Sequence, residues 1–453
     1  MKNKNLHKSM ILFIILFLFG CNSNEKSNEN SLTEKVNTYL SRLHENGKFN
    51  GSVLICKKDS VIYSSAFGLA NRELSKPNND TTTYLIGSIT KPFTAMAILL
   101  LEKEGKLELS NKLSAYFPYF PKSDSVTIEM LLTHTSGIRD YHYLPDWVEI
   151  SKLDRTPEYT IDRVAELPYD FEPGTDFKYT NSGYILLGLI IEKVIGLSFE
   201  EYIKTKIIEP LELTNTGIID NRKMVDGLAN GYSTNLKTSE KAEYINYYQP
   251  FSSGNMYSTT FDLWKFTKAV MKNKSLTEEK TKSIFTSGLG SYGYGWGIRE
   301  YDSVLAYGHL GAMNGYVGGI TYIPEGEYFI AFLTNDDNTQ RYTVAENLVK
   351  IVTGKEVGLP EKKKLINLTR KQIEPHLGKY MIKLGDTLDV FMDGGLVYMK
   401  ETGQQKLELF PIGDNKYTFS VLEMDVVFDD IANSRPQVLK LVGKKEIVAK
   451  RVE

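Results

Sequence analysis

Three short stretches carry side chains that could move a proton together: Ser88-Ile89-Thr90-Lys91, Tyr179-Thr180-Asn181 and His309-Leu310-Gly311. At the first turn of a helix, residues i and i+3 share a face, which would set the Lys91 amine beside the Ser88 hydroxyl. A serine hydroxyl is inert in water; a neutral amine beside it could take its proton and leave a nucleophile. Holding a lysine neutral near pH 7, against an ordinary value of about 10.4, costs about 4–5 kcal/mol. The positive end of a helix supplies only about 0.3–1 kcal/mol of this, so burial must supply most of the rest. Tyr179 could pass a proton to a leaving group, and the Asn181 amide could hold substrate and lysine. On a strand, His309 and Gly311 face one way and Leu310 the other. A bare Gly311 would let an extended substrate lie against the strand edge. The N–H of Ala312 could then pair with that of Ser88 around a developing oxyanion.

Taken singly, each stretch is a weak signal. An N-cap serine with an exposed lysine one turn on, an asparagine that merely caps a helix, and a lone surface histidine would be spelled the same way. The chain even repeats the patterns at Ser23-Asn24-Glu25-Lys26, Tyr244-Ile245-Asn246 and His376-Leu377-Gly378. The surrounding elements must decide. Ser88 stands at the opening of the strongest helical pattern, Phe93 to Lys103, which Gly105 ends; Pro92 is tolerated in a first turn. Tyr179 and Asn181 follow Pro173-Gly174 in a loop and precede a second helix that runs to Gly196. Thr259 to Lys272 reads as a third helix. Gly51 to Phe67 reads as a hairpin, and Gly318 to Ile323 and Tyr328 to Thr334 as strands around Pro324-Glu325-Gly326-Glu327. Strands at both ends of a helical region predict one α+β domain whose sheet joins those ends.

The rest of the chain sets the context. Lys2, Lys4 and Lys8 precede an apolar run from Met10 to Phe19, too short to span a bilayer as a helix, and then Gly20-Cys21. This predicts a secretory leader over residues 1–20. A polar tether over 21–31 follows, then a catalytic domain over 32–353, a linker over 354–364, and an all-β module over 365–453 with alternating strands and Gly, Asp and Asn turns. The 54 basic residues nearly balance 56 acidic ones, which gives no electrostatic reason to expect nucleic acid as a partner. Two cysteines cannot build a disulfide framework or a Cys-rich zinc site, and Cys56 reads as a small core residue. The six histidines include no H-E-x-x-H pair, so no metal or other cofactor is expected. Gly288-Leu289-Gly290-Ser291-Tyr292-Gly293 matches a dinucleotide fingerprint, but no helix pattern follows it, so it reads as a flexible loop. His134 reads as ordering its own turn.

The three stretches together resemble the signature of the serine β-lactamase and penicillin-binding-protein superfamily. Leu131-Leu132-Thr133-His134-Thr135-Ser136-Gly137, Pro173-Gly174-Thr175, Leu186-Leu187-Gly188, Tyr257-Ser258-Thr259 with Asp262-Leu263, and Gly293-Tyr294-Gly295-Trp296-Gly297 are similar to the class C β-lactamase-related family. The resemblance runs from about Phe49 to Asn335. It implies an antiparallel sheet flanked by helices, with a helical subdomain and a cleft lined by Ser88, Lys91, Tyr179 and His309. The C-terminal module resembles the lipocalin-like β domain of some members, and Leu18-Phe19-Gly20-Cys21 resembles a lipobox with Cys21 as the lipidated residue. The implied chemistry is attack of Ser88 on an amide or ester, with Lys91 and Tyr179 taking its proton and water clearing the acyl-enzyme.

One departure matters: the family's β-lactamases have Lys-Thr-Gly where this chain has His309-Leu310-Gly311, a variant similar to D-aminopeptidase- and esterase-like relatives. A histidine near pKa 6.5 is mostly neutral at pH 7 and supplies no permanent cation for a substrate carboxylate. The expectation is therefore a lipid-anchored serine hydrolase of small peptides, amides or esters, exported and touching the membrane through its lipid alone. A true β-lactamase or D-Ala-D-Ala carboxypeptidase is the first alternative. A lipoprotein that binds wall fragments without turnover is the second.

Overall fold

Val53-Leu54-Ile55-Cys56 is apolar at every position, so a strand made from it must be covered on both faces. The computed structural model describes residues 31–272, 276–383, 385–402, 406–420, 422, 424–432, 434–443 and 445–452; the expected leader, Cys21 and nearly all of the tether lie outside them. It places the apolar run inside a six-stranded antiparallel sheet. The strands are β1 (Gly51–Lys57), β2 (Ser60–Phe67), β3 (Gly297–Tyr301), β4 (Val304–Met313), β5 (Tyr316–Ile323) and β6 (Tyr328–Thr334), in the spatial order β3-β4-β5-β6-β1-β2. Gly51 lies opposite Thr334 and Lys57 opposite Tyr328, so the two ends of the domain meet in one sheet.

The alternation of β1 sorts the core into two layers. Val53 and Ile55 share one face with Val317, Ile330 and Phe332, beneath Leu40 of helix α1 (residues 31–45) and Leu348 of the helix Arg341–Val352. Leu54 and Cys56 share the other face with Ala331 and Leu333, against the helices that carry the site: α2 (Thr90–Lys103), α3 (Asn181–Ile195) and α4 (Thr260–Met271). Burial pushes the Cys56 thiol up to about 12, as befits an inert core residue. Thr259 caps α4 by accepting from Asp262 N at 3.2 Å, and Gly196 closes α3 at φ +70°.

The C-terminal strands, from Gly378–Lys383 to Glu446–Arg451, form a closed eight-stranded barrel in which Tyr380 pairs with Arg451 to join the last strand to the first. Side chains fill it: Tyr380, Leu388, Val390, Tyr417, Phe428 and Leu439 are buried there. The His376-Leu377-Gly378 repeat seen in the sequence serves this core, with His376 stacked 4.5 Å from Phe428 and bonded to the Tyr417 hydroxyl at 2.8 Å.

Candidate active site

A chain that must expose a reactive hydroxyl at the foot of a buried helix needs a sharp entry turn. Gly87–Ile89 is a 3-10 turn, and α2 starts only at Thr90. Ser88 thus sits two residues before the helix, whose N-cap is Ile89, and not in its first turn as the sequence had implied. Gly87 has φ +50°, and a Cβ there would lie 2.5 Å from the Ala312 carbonyl oxygen. Only glycine permits that approach of the turn to β4.

Lys91 is 0 % exposed. Its Nζ lies 3.0 Å from Ser88 Oγ, 2.7 Å from Asn181 Oδ1 and 2.8 Å from the Ser253 carbonyl oxygen. Burial lowers the amine from its ordinary value to about 7, and the nearby Asp140 carboxylate pulls the other way. Lowered so far, Lys91 is available near pH 7 as the neutral amine that can accept the Ser88 proton. The rings of Tyr179 and Tyr184 flank the amine at 4.9 and 5.4 Å.

Tyr179 turns 37 % of its surface to the cleft, but its hydroxyl end lies beside Ser88, and burial of that end raises the phenol well above its ordinary value. It stays protonated and can only lend a proton that it later regains. His134 does more than order its own turn. Its carbonyl accepts from Lys178 N at 3.1 Å, its Nδ1 accepts from Thr180 N at 3.2 Å, and its ring lies 4.3 Å from that of Tyr179. It thus grips the segment carrying Tyr179 from both sides. Asn181 is the first residue of α3 and does not cap it; its amide runs instead between Lys91 and Asp140.

The third stretch lies on β4 as expected, but two of its expected roles change. His309 is neither a lone surface residue nor near its ordinary pKa. Its Nε2 meets the Tyr292 hydroxyl at 2.9 Å and its Nδ1 the Leu310 carbonyl at 2.8 Å. Burial, with help from the Lys91 charge, depresses it to about 3, so it is neutral at any working pH. Gly311 leaves no bare face for substrate: a Cβ there would sit 2.0 Å from the Ile86 carbonyl. Its missing side chain serves the packing of the Ser88 turn against the sheet. Tyr292, from the glycine-rich loop read as flexible, is itself buried at 7 % exposure.

Two cavities meet at Ser88 and Ala312. One, about 380 Å3, is walled by Tyr141, His142, Trp147, Asn181 and Glu243. The other, about 430 Å3, is walled by Tyr179, Tyr292, His309, Arg299, Arg341 and Tyr342. Pairing of β3 with β4 stops at Gly297 and Gly308, so β4 runs unpaired on that side from His309 to Met313. The Arg299 and Arg341 guanidinium groups lie 5.2 and 5.1 Å from the Tyr342 ring, and among the described residues neither forms an ion pair. The sequence had singled out none of Asp140, Ser253, Tyr292, Arg299 and Arg341. Ser253 contributes only a carbonyl, which no residue type betrays. Asp140, three residues past the His134–Gly137 run, carried the one readable signal.

A family model described as Beta-lactamase matches residues 36–354. The chain is 28 % identical over 430 residues to Penicillin-binding protein 4* of Bacillus subtilis (strain 168), covering 88 % of this chain and 95 % of that protein. The octameric penicillin-binding protein homologue from Pyrococcus abyssi superposes with a TM-score of 0.65 at 28 % identity, over 92 % of this chain and 99 % of that one. The D-amino acid amidase from Ochrobactrum anthropi SV3 shares the fold at TM-score 0.62 and 22 % identity, over 70 % of this chain and 98 % of its own.

Proposed function

From the membership of this chain in the β-lactamase family of serine hydrolases, we propose that it cleaves an amide or ester through an acyl-enzyme on Ser88, in the manner of D-aminopeptidase- and esterase-like relatives. The observation that carries this reading is the fully buried Lys91 with its amine 3.0 Å from Ser88 Oγ.

Neutral Lys91 takes the hydroxyl proton as Ser88 Oγ bonds to the substrate carbonyl carbon. The N–H groups of Ser88 and Ala312 hold the resulting oxyanion. The C–N or C–O bond then breaks, Tyr179 protonates the leaving atom, and the Lys91 ammonium restores the Tyr179 proton. Water, deprotonated by the same amine, releases the acid and regenerates Ser88. Because Tyr179 borders the larger cavity, the leaving group lies there and the acyl group in the cavity beside Trp147. His309 is neutral, but Arg299 and Arg341, which form no ion pair among the described residues, line the leaving-group cavity as two cations, which favours a leaving group that carries an anion. That restores part of what loss of the family lysine had argued against, and keeps a carboxypeptidase-like substrate as the alternative.

The reading extends to location: export, and anchoring of the exported chain to a membrane through lipid on Cys21. The test of the catalytic part is a fluorophosphonate probe followed by peptide mass spectrometry. The expected adduct is on Ser88, absent from Ser88→Ala; no adduct on Ser88 in the wild-type protein would refute it. A library of peptide, amide and ester substrates, run against Ser88→Ala, would then identify the acyl and leaving groups.

A further inference from the structure

Asp140 has no part in the steps above, yet it is buried at the start of α3 and accepts four hydrogen bonds. Its Oδ2 accepts from Asn181 N at 2.5 Å and from Asn181 Nδ2 at 2.9 Å. Its Oδ1 accepts from His142 N at 3.0 Å and meets His142 Nδ1 at 2.5 Å. Burial alone would raise this carboxyl, but these bonds and the His142 ring outweigh it and hold the group below its ordinary value, as a carboxylate.

A free asparagine amide can present either its oxygen or its nitrogen to a neighbour. A carboxylate only accepts, so Asp140 claims Nδ2 and turns Oδ1 toward Lys91, 2.7 Å away. A neutral amine has two N–H groups and one lone pair. Asn181 Oδ1 and the Ser253 carbonyl take the two N–H groups, and the lone pair is left pointing at Ser88. A flipped amide would offer Lys91 a donor instead and draw the lone pair away from the serine.

We propose that Asp140 is a positioning residue for the reaction: through the Asn181 amide it aims the Lys91 lone pair at Ser88, while its negative charge favours the protonated amine and opposes the effect of burial. This rests on the reading of Lys91 as the base that activates Ser88. The other groups facing Lys91 are the neutral rings of His134, His309, Tyr179 and Tyr184, while His142, Tyr141 and Tyr179 face Asp140. Among the described residues, Asp140 is the carboxylate that favours the protonated amine.

The test is the rate of Ser88 labelling by the fluorophosphonate across pH 5–10 for the wild type, Asp140→Asn, Asn181→Ala and the double variant. With Asp140→Asn the alkaline plateau should fall about 10-fold or more, while the acid limb moves down by about one pH unit as the carboxylate's pull on the amine is lost. In the Asn181→Ala background the same change should cost no further plateau rate, because Asp140 acts through that amide. Asp140→Ser keeps an oxygen that can accept from Asn181 Nδ2 but lacks the charge; it should shift the acid limb likewise, and it carries the test should Asp140→Asn fail to fold by thermal unfolding. An unchanged profile, a plateau loss with the limb unmoved, or additive losses in the double variant would each overturn the proposal. A wild-type protein that never labels would remove the reading of Lys91 and this inference with it, whereas a labelled wild type beside an unaltered Asp140→Asn sinks the inference alone.

Discussion

Replacing Lys91 by methionine should abolish Ser88 labelling and change stability in a way that depends on pH. The amine is 0 % exposed and lowered from 10.5 to about 7. In the unfolded chain the same amine keeps its proton up to about pH 10.4, so between those values the unfolded state binds the extra proton and stability rises with pH. Below pH 7 the folded protein bears the whole cost of a charged, buried lysine, about 5 kcal/mol at about 1.4 kcal/mol per pKa unit. By pH 9 the remaining cost is about 2 kcal/mol. Methionine fills a similar volume and removes that cost at every pH. It also strips partners from the Asn181 amide oxygen and the Ser253 carbonyl, at about 1–3 kcal/mol each where they stay dry, a loss that does not vary with pH. The absolute effect thus mixes two terms of opposite sign, but its change between pH 6 and pH 9 isolates the lysine. His134 and His309 are both held below their ordinary range in the folded protein; their titration in the unfolded chain is common to wild type and variant and cancels from the comparison. Urea unfolding of wild type and Lys91→Met at the two pH values should show the variant about 2–3 kcal/mol better, relative to wild type, at pH 6 than at pH 9. Equal differences at both would mean that Lys91 keeps an ordinary pKa. It could not then serve as the base.

Two further outcomes follow from the cavities and the N-terminus. Arg299→Ala with Arg341→Ala should lower kcat/KM for an amide whose leaving group bears a carboxylate by about 100-fold or more, at about 1.5–3 kcal/mol for each of the two charged hydrogen bonds lost, and by far less for the matching neutral leaving group. Equal losses on the two substrates would place the anion elsewhere. Cys21→Ser should abolish incorporation of an alkyne-tagged fatty acid and release the protein from the membrane fraction; unaltered labelling would refute lipidation at this residue.

The hairpin at Gly51–Phe67, the helix that follows the Ser88 turn, the helix that begins at Asn181 and the paired ends of the sheet were legible because each rests on local periodicity and on caps such as Thr259 and Gly196. The serine and lysine, three residues apart, were legible for the same reason. His309 was read as a residue near its ordinary pKa because its letter says nothing of Tyr292, which reaches it from a separate loop. Gly311 was assigned to substrate because only the folded chain shows Ile86 filling the space above it.

By itself, the sequence determined which groups exist, which of them lie within one turn of each other, and the alternation that folds the sheet. Tertiary structure decided what those groups are able to do. It lowered the Lys91 amine by burying it completely, set Asp140 behind the Asn181 amide, and placed Arg299 and Arg341 in the cavity that His309 lines. The physical reason is range. Propensity and spacing act over a few residues, whereas desolvation, amide orientation and the meeting of charges depend on segments being pressed together that stand 41, 90 and 162 residues apart in the chain, as Asp140–Asn181, Lys91–Asn181 and Lys91–Ser253 do.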